Sequence, residues 1–193
     1  MKKYQIIYAD PPWLYDNGGN QKSRGMARGS FDCMPIEDIK NLPIKGIIDD
    51  NAMLFLWATM PKLKEAIEVI EAWGFKYITC AFTWVKTNPK GKGIYSGLGH
   101  WVNGNAELCL LGRRGKTLER MAKNVKQIQI HPRGRHSAKP PQIRDEIVRL
   151  LGDLPRIELF ARKPDSLIED QSWDGWDVWG NEVESDINLN EKI

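Results

Sequence analysis

Short apolar runs alternate with amphipathic stretches along the chain, and this alternation predicts its secondary structure. An apolar run at Tyr4–Ala9 is stopped by two prolines, and a continuous apolar run at 52–57 is typical of a buried parallel strand. A short helix is predicted after Pro35. The remaining apolar runs predict strands at 77–85, 107–111, 127–130 and 156–161.

Two longer helices are predicted where apolar residues recur at helical spacing. The first lies between Pro61 and Gly74, and the second follows two prolines and ends at Gly152. Alternation of such strands and helices predicts an α/β fold with an open, mostly parallel sheet. In such sheets ligands bind outside the carboxyl ends of the strands.

Domain organisation is predicted to be simple. The chain contains no internal repeat and no break in composition, so residues 1–183 are expected to form one domain, with 184–193 as a flexible tail. Residues 18–30 and 88–105 are rich in glycine and polar residues without periodicity, and they are predicted to be long loops that close over a site.

Composition narrows the class of protein. A chain of 193 residues with 41% hydrophobic and 27% charged residues is typical of a globular domain, which excludes a disordered or fibrous protein. It has no apolar run of membrane length and no signal peptide pattern, so we expect a cytoplasmic protein without a membrane partner. Cys33, Cys80 and Cys109 lack paired spacing, so neither a disulfide framework nor a metal site is expected.

Positive charge is concentrated in one part of the sequence. The net charge is only +3, but residues 112–149 hold eleven basic and three acidic residues. A surface that follows nucleic acid phosphates needs such a segment, although a charged face in contact with solvent is the commoner explanation. Both interpretations stay open on charge alone.

Candidate chemistry lies at the end of the first strand, in Asp10, Pro11, Pro12 and Trp13. An aromatic amine is a poor nucleophile because its lone pair is delocalised into the ring. The carboxylate of Asp10 can accept one amine hydrogen and the carbonyl of Pro11 the other, which leaves the lone pair aimed at a methyl donor. Trp13 can stack on the base. The alternative is that these residues merely end a strand.

Several further motifs resemble, in the same order, those of the messenger-RNA adenosine methyltransferase catalytic subunit and its bacterial and phage relatives. The resemblance covers residues 7–181 and begins with Ala9-Asp10-Pro11-Pro12-Trp13. The other segments that carry it are Phe31-Asp32-Cys33-Met34, Leu54-Phe55-Leu56-Trp57, Thr83-Trp84-Val85-Lys86-Thr87-Asn88, Gly99-His100-Trp101-Val102-Asn103, Glu107-Leu108-Cys109-Leu110, His136-Ser137-Ala138-Lys139-Pro140, Arg156-Ile157-Glu158-Leu159-Phe160-Ala161-Arg162 and Trp179-Gly180-Asn181.

The resemblance implies a Rossmann-like methyltransferase fold, circularly permuted so that the catalytic motif comes first and the cofactor strand late. It implies S-adenosylmethionine as the cofactor, held by Asp10, Lys139, Glu158, Leu159, Phe160, Arg162, Asp165 and Asn181. The residues implied around the target adenosine are Phe31, Trp57, Trp84, Asn103 and Glu107, with core packing as the alternative for the two tryptophans. The sequence departs from the family pattern at Phe31, usually tyrosine, and at Asp165, where the family has His-Asn after the proline.

The function implied by the resemblance is methylation of the exocyclic N6 amine of adenine in nucleic acid. The target base must leave its stack to be reached, because the amine in a duplex is paired. DNA is favoured over RNA because the chain is short and has no zinc fingers. The alternatives are an RNA adenosine methyltransferase and a non-catalytic subunit that binds nucleic acid. A homodimer is also expected, since relatives often pair subunits.

Overall fold

A computed structural model describes residues 2–14, 33–90, 92–97, 99, 101–134, 138–162 and 173–189. The described strands are β1 (Tyr4–Ala9), β2 (Ile48–Ala58), β3 (Lys76–Thr87), β4 (Ala106–Arg114), β5 (Ile128–Pro132), β6 (Arg156–Leu159) and β7 (Trp176–Trp179). The described helices are α1 (Ile36–Lys40), α2 (Leu63–Ala72) and α3 (Gln142–Leu151), with short 3-10 helices at Ile44–Gly46 and Met60–Lys62.

The strands form one mixed sheet in the order β5-β3-β4-β2-β1-β6-β7. β1 pairs in parallel with β2 and β6, β6 with β7, and β3 with β5, whereas β4 runs antiparallel to both of its neighbours. The carboxyl ends of the six parallel strands therefore share one edge with the amino end of β4. We call this edge, where Ala9, Ala58, Leu159 and Trp179 end their strands and Ala106 begins β4, the carboxyl edge.

Both faces of the sheet are buried, so the fold has three layers. Alternate residues of a strand point to opposite faces. On one face, Ile7 and Leu54 pack in a core with α1 and α2, and on the other face Ile6 and Phe55 pack in a core with α3. This burial on both sides explains why the central strands are continuous apolar runs.

α2 joins α1 through a buried tryptophan. Ala66, Val69 and Ile70 face the core, and the indole N–H of Trp73 donates to the carbonyl of Ile39 at 2.8 Å. Gly74 then ends the helix with φ 86°, a conformation that side chains disfavour. Of the helices in the described part of the chain, none is long and apolar enough to cross a membrane.

The α/β fold with a mostly parallel sheet is confirmed, and every predicted strand and helix is present. Two features were not predicted: the reversed direction of β4, and β7. Hydrophobic periodicity carries no information on strand direction, and β7 has only four residues, one of them Asp177. Circular permutation stays a prediction.

The basic segment does not form a single surface. Because β4 is antiparallel, Arg113 and Arg114 end this strand opposite Met53 and Ala52 of β2, away from the carboxyl edge. Six residue steps separate Arg113 from Glu107, or about 20 Å. Arg133 follows β5 at the carboxyl edge. The two ends of the basic segment therefore lie at different distances from Asp10.

The tail boundary at residue 183 stays a prediction, and hydrogen bonds and packing continue beyond it. The amide of Asp186 donates to the carbonyl of Val178 at 2.9 Å, and the Asp186 carboxylate accepts from the Val178 amide at 2.8 Å. Leu189 is 3% exposed and packs in the core beside α2. The packed part of the chain therefore extends at least to Leu189.

Leu189→Ala should lower the free energy of unfolding by about 2–4 kcal/mol, because it leaves a cavity in the core. Glu184→Ala, at an exposed position, is the matched control and should change it by less than about 0.5 kcal/mol. Urea unfolding measures both. Equal, small effects of the two changes would support the boundary at residue 183.

Candidate active site

Asp10 lies at the middle of the carboxyl edge, directly after β1. Its carboxylate Oδ2 is 2.7 Å from the ammonium Nζ of Lys139, and the two side chains are 17% and 12% exposed. Lys139 comes from the segment that precedes α3. The ion pair therefore ties the end of β1 to the segment before α3, and both side chains keep some exposure to solvent.

Two further charged side chains extend this pair. Glu107, near the start of β4, places Oε2 3.3 Å from Nζ of Lys139, and its other carboxylate oxygen accepts a hydrogen bond from Lys86 at the end of β3. Lys86, Glu107, Lys139 and Asp10 thus alternate in sign, and we call these four residues the charge cluster. Each carboxylate has a lysine partner, which is the condition for burying such groups.

The charge cluster rests on two buried tryptophans. Nζ of Lys139 lies 5.4 Å from the ring centroid of Trp57, and Nζ of Lys86 lies 4.9 Å from that of Trp84. The rings contact edge to face, with centroids 6.3 Å apart. Trp57 and Trp84 are 1% and 2% exposed, so they are core residues that support the lysines through cation–π contacts.

Burial and charge act in opposite directions on the pKa values of the cluster. Burial raises the pKa of Asp10 above its ordinary value, although Lys139 and Arg162 counteract it. For Glu107, burial is outweighed by Lys139 and Lys86, which hold the pKa of its carboxyl below the usual value. Burial disfavours the ammonium of Lys139, but Asp10 and Glu107 outweigh it and raise the pKa of this lysine. Lys139 is therefore a permanent cation.

Trp13 lies beneath the surface of this corner. Its ring is 6% exposed and packs in the core with α1 and α2, and its indole N–H donates to the carbonyl of Trp57 at 3.2 Å. Stacking of Trp13 on a base stays a prediction, and this burial favours a structural role. Trp13 anchors the chain after the two prolines to the end of β2.

The two prolines between Asp10 and Trp13 are held by backbone hydrogen bonds. The carbonyl of Pro11 accepts from the Trp13 amide at 2.9 Å, and that of Pro12 accepts from the Met34 amide at 2.8 Å. A carbonyl oxygen has two lone pairs, so Pro11 retains capacity for one more donor. Its fixed φ adds rigidity to this corner.

The ends of β6 and β7 meet beside Asp10. Phe160 has φ 61°, a conformation that is uncommon for residues other than glycine, and its ring contacts Trp179 edge to face at 5.4 Å. A side chain at Gly180 would collide with the carbonyl of Ala161, so only glycine fits there. Leu159 is fully buried, and its carbonyl accepts from the Asp10 amide at 3.4 Å.

Glu158 has structural partners. Its carboxylate Oε2 lies 2.7 Å from Nη1 of Arg144 on α3 and accepts from the indole N–H of Trp173 at 2.8 Å. Burial raises the pKa of Glu158, although Arg144 counteracts it. The cofactor contact implied for Glu158 therefore competes with an ion pair that joins β6 to α3.

The remaining implied residues are not part of the charge cluster. Asn103 and Asn181 are exposed, and Phe31, Asp165 and the 18–30 loop lie outside the described residues. Lys86 was missed, although it belongs to a motif that carried the resemblance. The alternation of side chains along a strand could have identified Lys86, because Lys86 and Trp84 are two residues apart and therefore lie on the same face of β3.

Comparison with known proteins identifies the family. The sequence pattern of MT-A70 matches residues 4–182. The chain belongs to the MT-A70 family. The resemblance found in the motifs is thereby confirmed, and membership of MT-A70 makes the chain a methyltransferase.

Individual MT-A70 relatives differ in how much of their length is matched. The chain is 35% identical over 201 residues to the type II methyltransferase M.MunI of Mycoplasma sp. This match covers 94% of the chain and 78% of M.MunI. The chain is 28% identical over 163 residues to the N(6)-adenosine-methyltransferase catalytic subunit METTL3 of Homo sapiens, which covers 84% of this chain and 26% of METTL3. A probable MT-A70-like N(6)-adenosine-methyltransferase of Oryza sativa is 28% identical, with 23% of its length covered.

Lys86→Met should destabilise the protein in a pH-dependent way. The lowered pKa of Glu107 means that its stabilising effect is present above its unfolded pKa and is lost as pH falls through the folded pKa. Without Lys86 this effect is reduced, so the free energy of unfolding should drop by about 1–2 kcal/mol near pH 7 and by much less near pH 4.

Urea unfolding at the two pH values measures this difference. Lys40→Met is the matched control, because Lys40 pairs at 3.0 Å with Glu37, whose side chain is 66% exposed, and it should cost less than about 0.5 kcal/mol. An equal cost of Lys86→Met at both pH values would contradict the coupling to Glu107.

Proposed function

We propose that this protein transfers a methyl group from S-adenosylmethionine to the exocyclic N6 amine of adenine in nucleic acid, with Asp10 as the acceptor of an amine hydrogen. The observation that carries the proposal is a carboxylate held by a buried lysine, next to a proline-fixed carbonyl, at the carboxyl edge. The names of the MT-A70 relatives, several of them N(6)-adenosine-methyltransferases, support the same chemistry.

Asp10 and Pro11 act on the nucleophile. An adenine amine has two hydrogens, and two acceptors at one corner can hold both while the nitrogen becomes tetrahedral. Ion pairing with Lys139 at 2.7 Å fixes where the Asp10 carboxylate lies before the base arrives, which avoids reorganisation during the reaction. Lys139 also pairs with Glu107, so its positive charge is divided between two carboxylates and does not act on Asp10 only.

The residues at the carboxyl edge fit the proposed cofactor. Phe160 and Trp179 offer apolar ring surface suited to an adenine ring, and the cation of Lys139 can pair with a carboxylate. Asp10 can accept from an ammonium group. When bound, S-adenosylmethionine supplies the methyl group from its sulfonium. Arg162 and Asn181 stay predicted ribose and adenine contacts.

The direct test is transfer of an isotope-labelled methyl group to oligonucleotides that contain adenine. Asp10→Asn and Asp10→Ala should lower the rate at least about 100-fold, since the first removes the negative charge of the acceptor and the second removes the acceptor itself. Asp38→Ala, an exposed residue on α1, is the matched control and should leave the rate unchanged. Wild-type activity in Asp10→Ala would refute the assignment.

The alternative to an enzyme is a non-catalytic subunit that binds nucleic acid. It predicts binding of nucleic acid without turnover, and calorimetry with S-adenosylmethionine separates the two: an enzyme binds the methyl donor in a ratio of one to one. The intact Asp10-Pro11-Pro12-Trp13 sequence favours the enzyme.

DNA is the acceptor we favour, with RNA as the alternative. Identity to M.MunI is higher than to METTL3, and the match covers 78% of M.MunI against 26% of METTL3. Matched DNA and RNA oligonucleotides in the labelled assay decide between them. We also infer that a homodimer is the active form, which sedimentation at assay concentration tests.

The profile of kcat/KM against pH should have an acid limb, the range in which activity falls as pH decreases. Two substitutions should shift this limb in opposite directions. Asp10 must be ionised to accept a hydrogen, and burial raises its pKa, so kcat/KM should fall with decreasing pH above the ordinary aspartate range. Lys139→Met removes an attractive charge and should move the limb to higher pH. Glu107→Gln removes a repulsive charge and should move it to lower pH. Shifts in the same direction would contradict Asp10 as the titrating group.

A further inference from the structure

A glycine-built hairpin projects from the carboxyl edge and carries a fully exposed tryptophan. After β3 the chain first turns back, so that Ile94 pairs antiparallel with Thr87, and it then forms an antiparallel pair at Gly97 and Gly104, whose backbone hydrogen bond is 3.0 Å. Trp101, near its tip, is 99% exposed, and its neighbour Val102 is 78% exposed. We call residues 92–97, 99 and 101–105 the finger.

Two glycines of the finger occupy positions where the backbone leaves no room for a side chain. A side chain at Gly97 would come within 2.6 Å of the carbonyl of Gly104, and one at Gly99 would collide with the carbonyl of Val102. The strands of the finger therefore approach as closely as only glycine permits. The base of the finger is held to β3 by the Tyr95 amide, which donates to the carbonyl of Lys86 at 2.8 Å.

Full exposure of Trp101 needs an explanation, because tryptophan is among the most buried residue types on average. In the part of the chain that the structure describes, the other large exposed hydrophobic side chains are all less exposed than Trp101. An aromatic ring at the tip of a rigid projection is suited to stacking on a nucleobase or to insertion into a pocket of another protein. The surrounding charges favour the first of these.

Charge around the finger is entirely positive. Residues 87–106 contain Lys90 and Lys92 and no aspartate or glutamate, and both lysines are exposed. The guanidinium of Arg133 lies 4.3 Å from the ring centroid of Tyr95 at the base of the finger. Cations beside an exposed aromatic ring are the pattern of single-strand nucleic acid binding, where phosphates pair with the cations and bases stack on the ring.

We propose that Trp101 stacks on an unpaired base of the nucleic acid substrate, at a nucleotide other than the target adenine. Six residue steps separate Trp101 from Glu107 in the charge cluster, or at most about 20 Å. Because the ring is 99% exposed, it contacts none of the charge-cluster residues, and this suits a nucleotide near the target adenine rather than the base at Asp10. The inference rests on the proposed function, since it assigns a second contact with the same substrate.

The test is binding of a fluorescein-labelled single-stranded oligonucleotide, followed by anisotropy at several salt concentrations. Trp101→Ala should weaken binding roughly tenfold or more, and Trp101→Phe should restore most of the affinity, because stacking needs only an aromatic ring. The salt dependence should be the same as in wild type, since no charge is lost. Lys92→Met should instead reduce the slope of log Kd against log salt by about 0.7.

Two controls separate stacking from general effects. Met121→Ala removes another exposed hydrophobic side chain, 68% exposed, and should leave binding unchanged. The melting temperature of Trp101→Ala should equal that of wild type, because an exposed side chain has no packing to lose. Unchanged affinity in Trp101→Ala would overturn the inference, and a change in sedimentation with unchanged affinity would assign the tip to a protein partner instead.

Failure of this inference and failure of the proposed function have different signatures. Binding that depends on Trp101 without any methyl transfer would contradict the proposed function alone. Methyl transfer to oligonucleotides with binding that does not depend on Trp101 would contradict the stacking role alone.

Discussion

The ion pair between Asp10 and Lys139 is the interaction on which the candidate site depends. Asp10 directly follows β1, an interior strand of the sheet, and its carboxylate lies 2.7 Å from the ammonium of Lys139, in the segment that precedes α3. Burial opposes both charges, so neither group can remain there alone. Glu107 and Lys86 extend the alternation of charges around this pair. The chemistry of the Asp10 carboxylate therefore depends on four residues from four segments of the chain.

The fold brings these segments together through strand direction. β4 is reversed, so its first residues, including Glu107, reach the same edge at which β1 and β3 end. The same reversal carries Arg113 and Arg114 away from the carboxyl edge. The connection between β3 and β4 leaves from the carboxyl edge, and it therefore places Trp101 on the side of the sheet where a substrate of Asp10 would lie.

Much of this was predictable, and the failures have physical causes. Strands, helices and the position of Asp10 follow from local patterns, which burial on both faces of the sheet reinforces. The direction of β4 depends on long-range pairing, which periodicity does not encode. The burial of Trp13 could not be predicted either, because one aromatic residue after two prolines shows no face preference, and its stacking on a base stays a prediction. Lys86 was missed because its role depends on the cross-strand register that sets Trp84 opposite Glu107.

A double-mutant cycle on Lys139 and Glu107, read by single-turnover methyl transfer at a pH above the acid limb of every variant, tests this arrangement most directly. If Glu107 acts on Asp10 through Lys139, the loss in the Lys139→Met, Glu107→Gln double variant should be close to that of Lys139→Met alone, well below the sum of the single losses. Fully additive losses would show that the two residues act independently and that the charge cluster is not a unit.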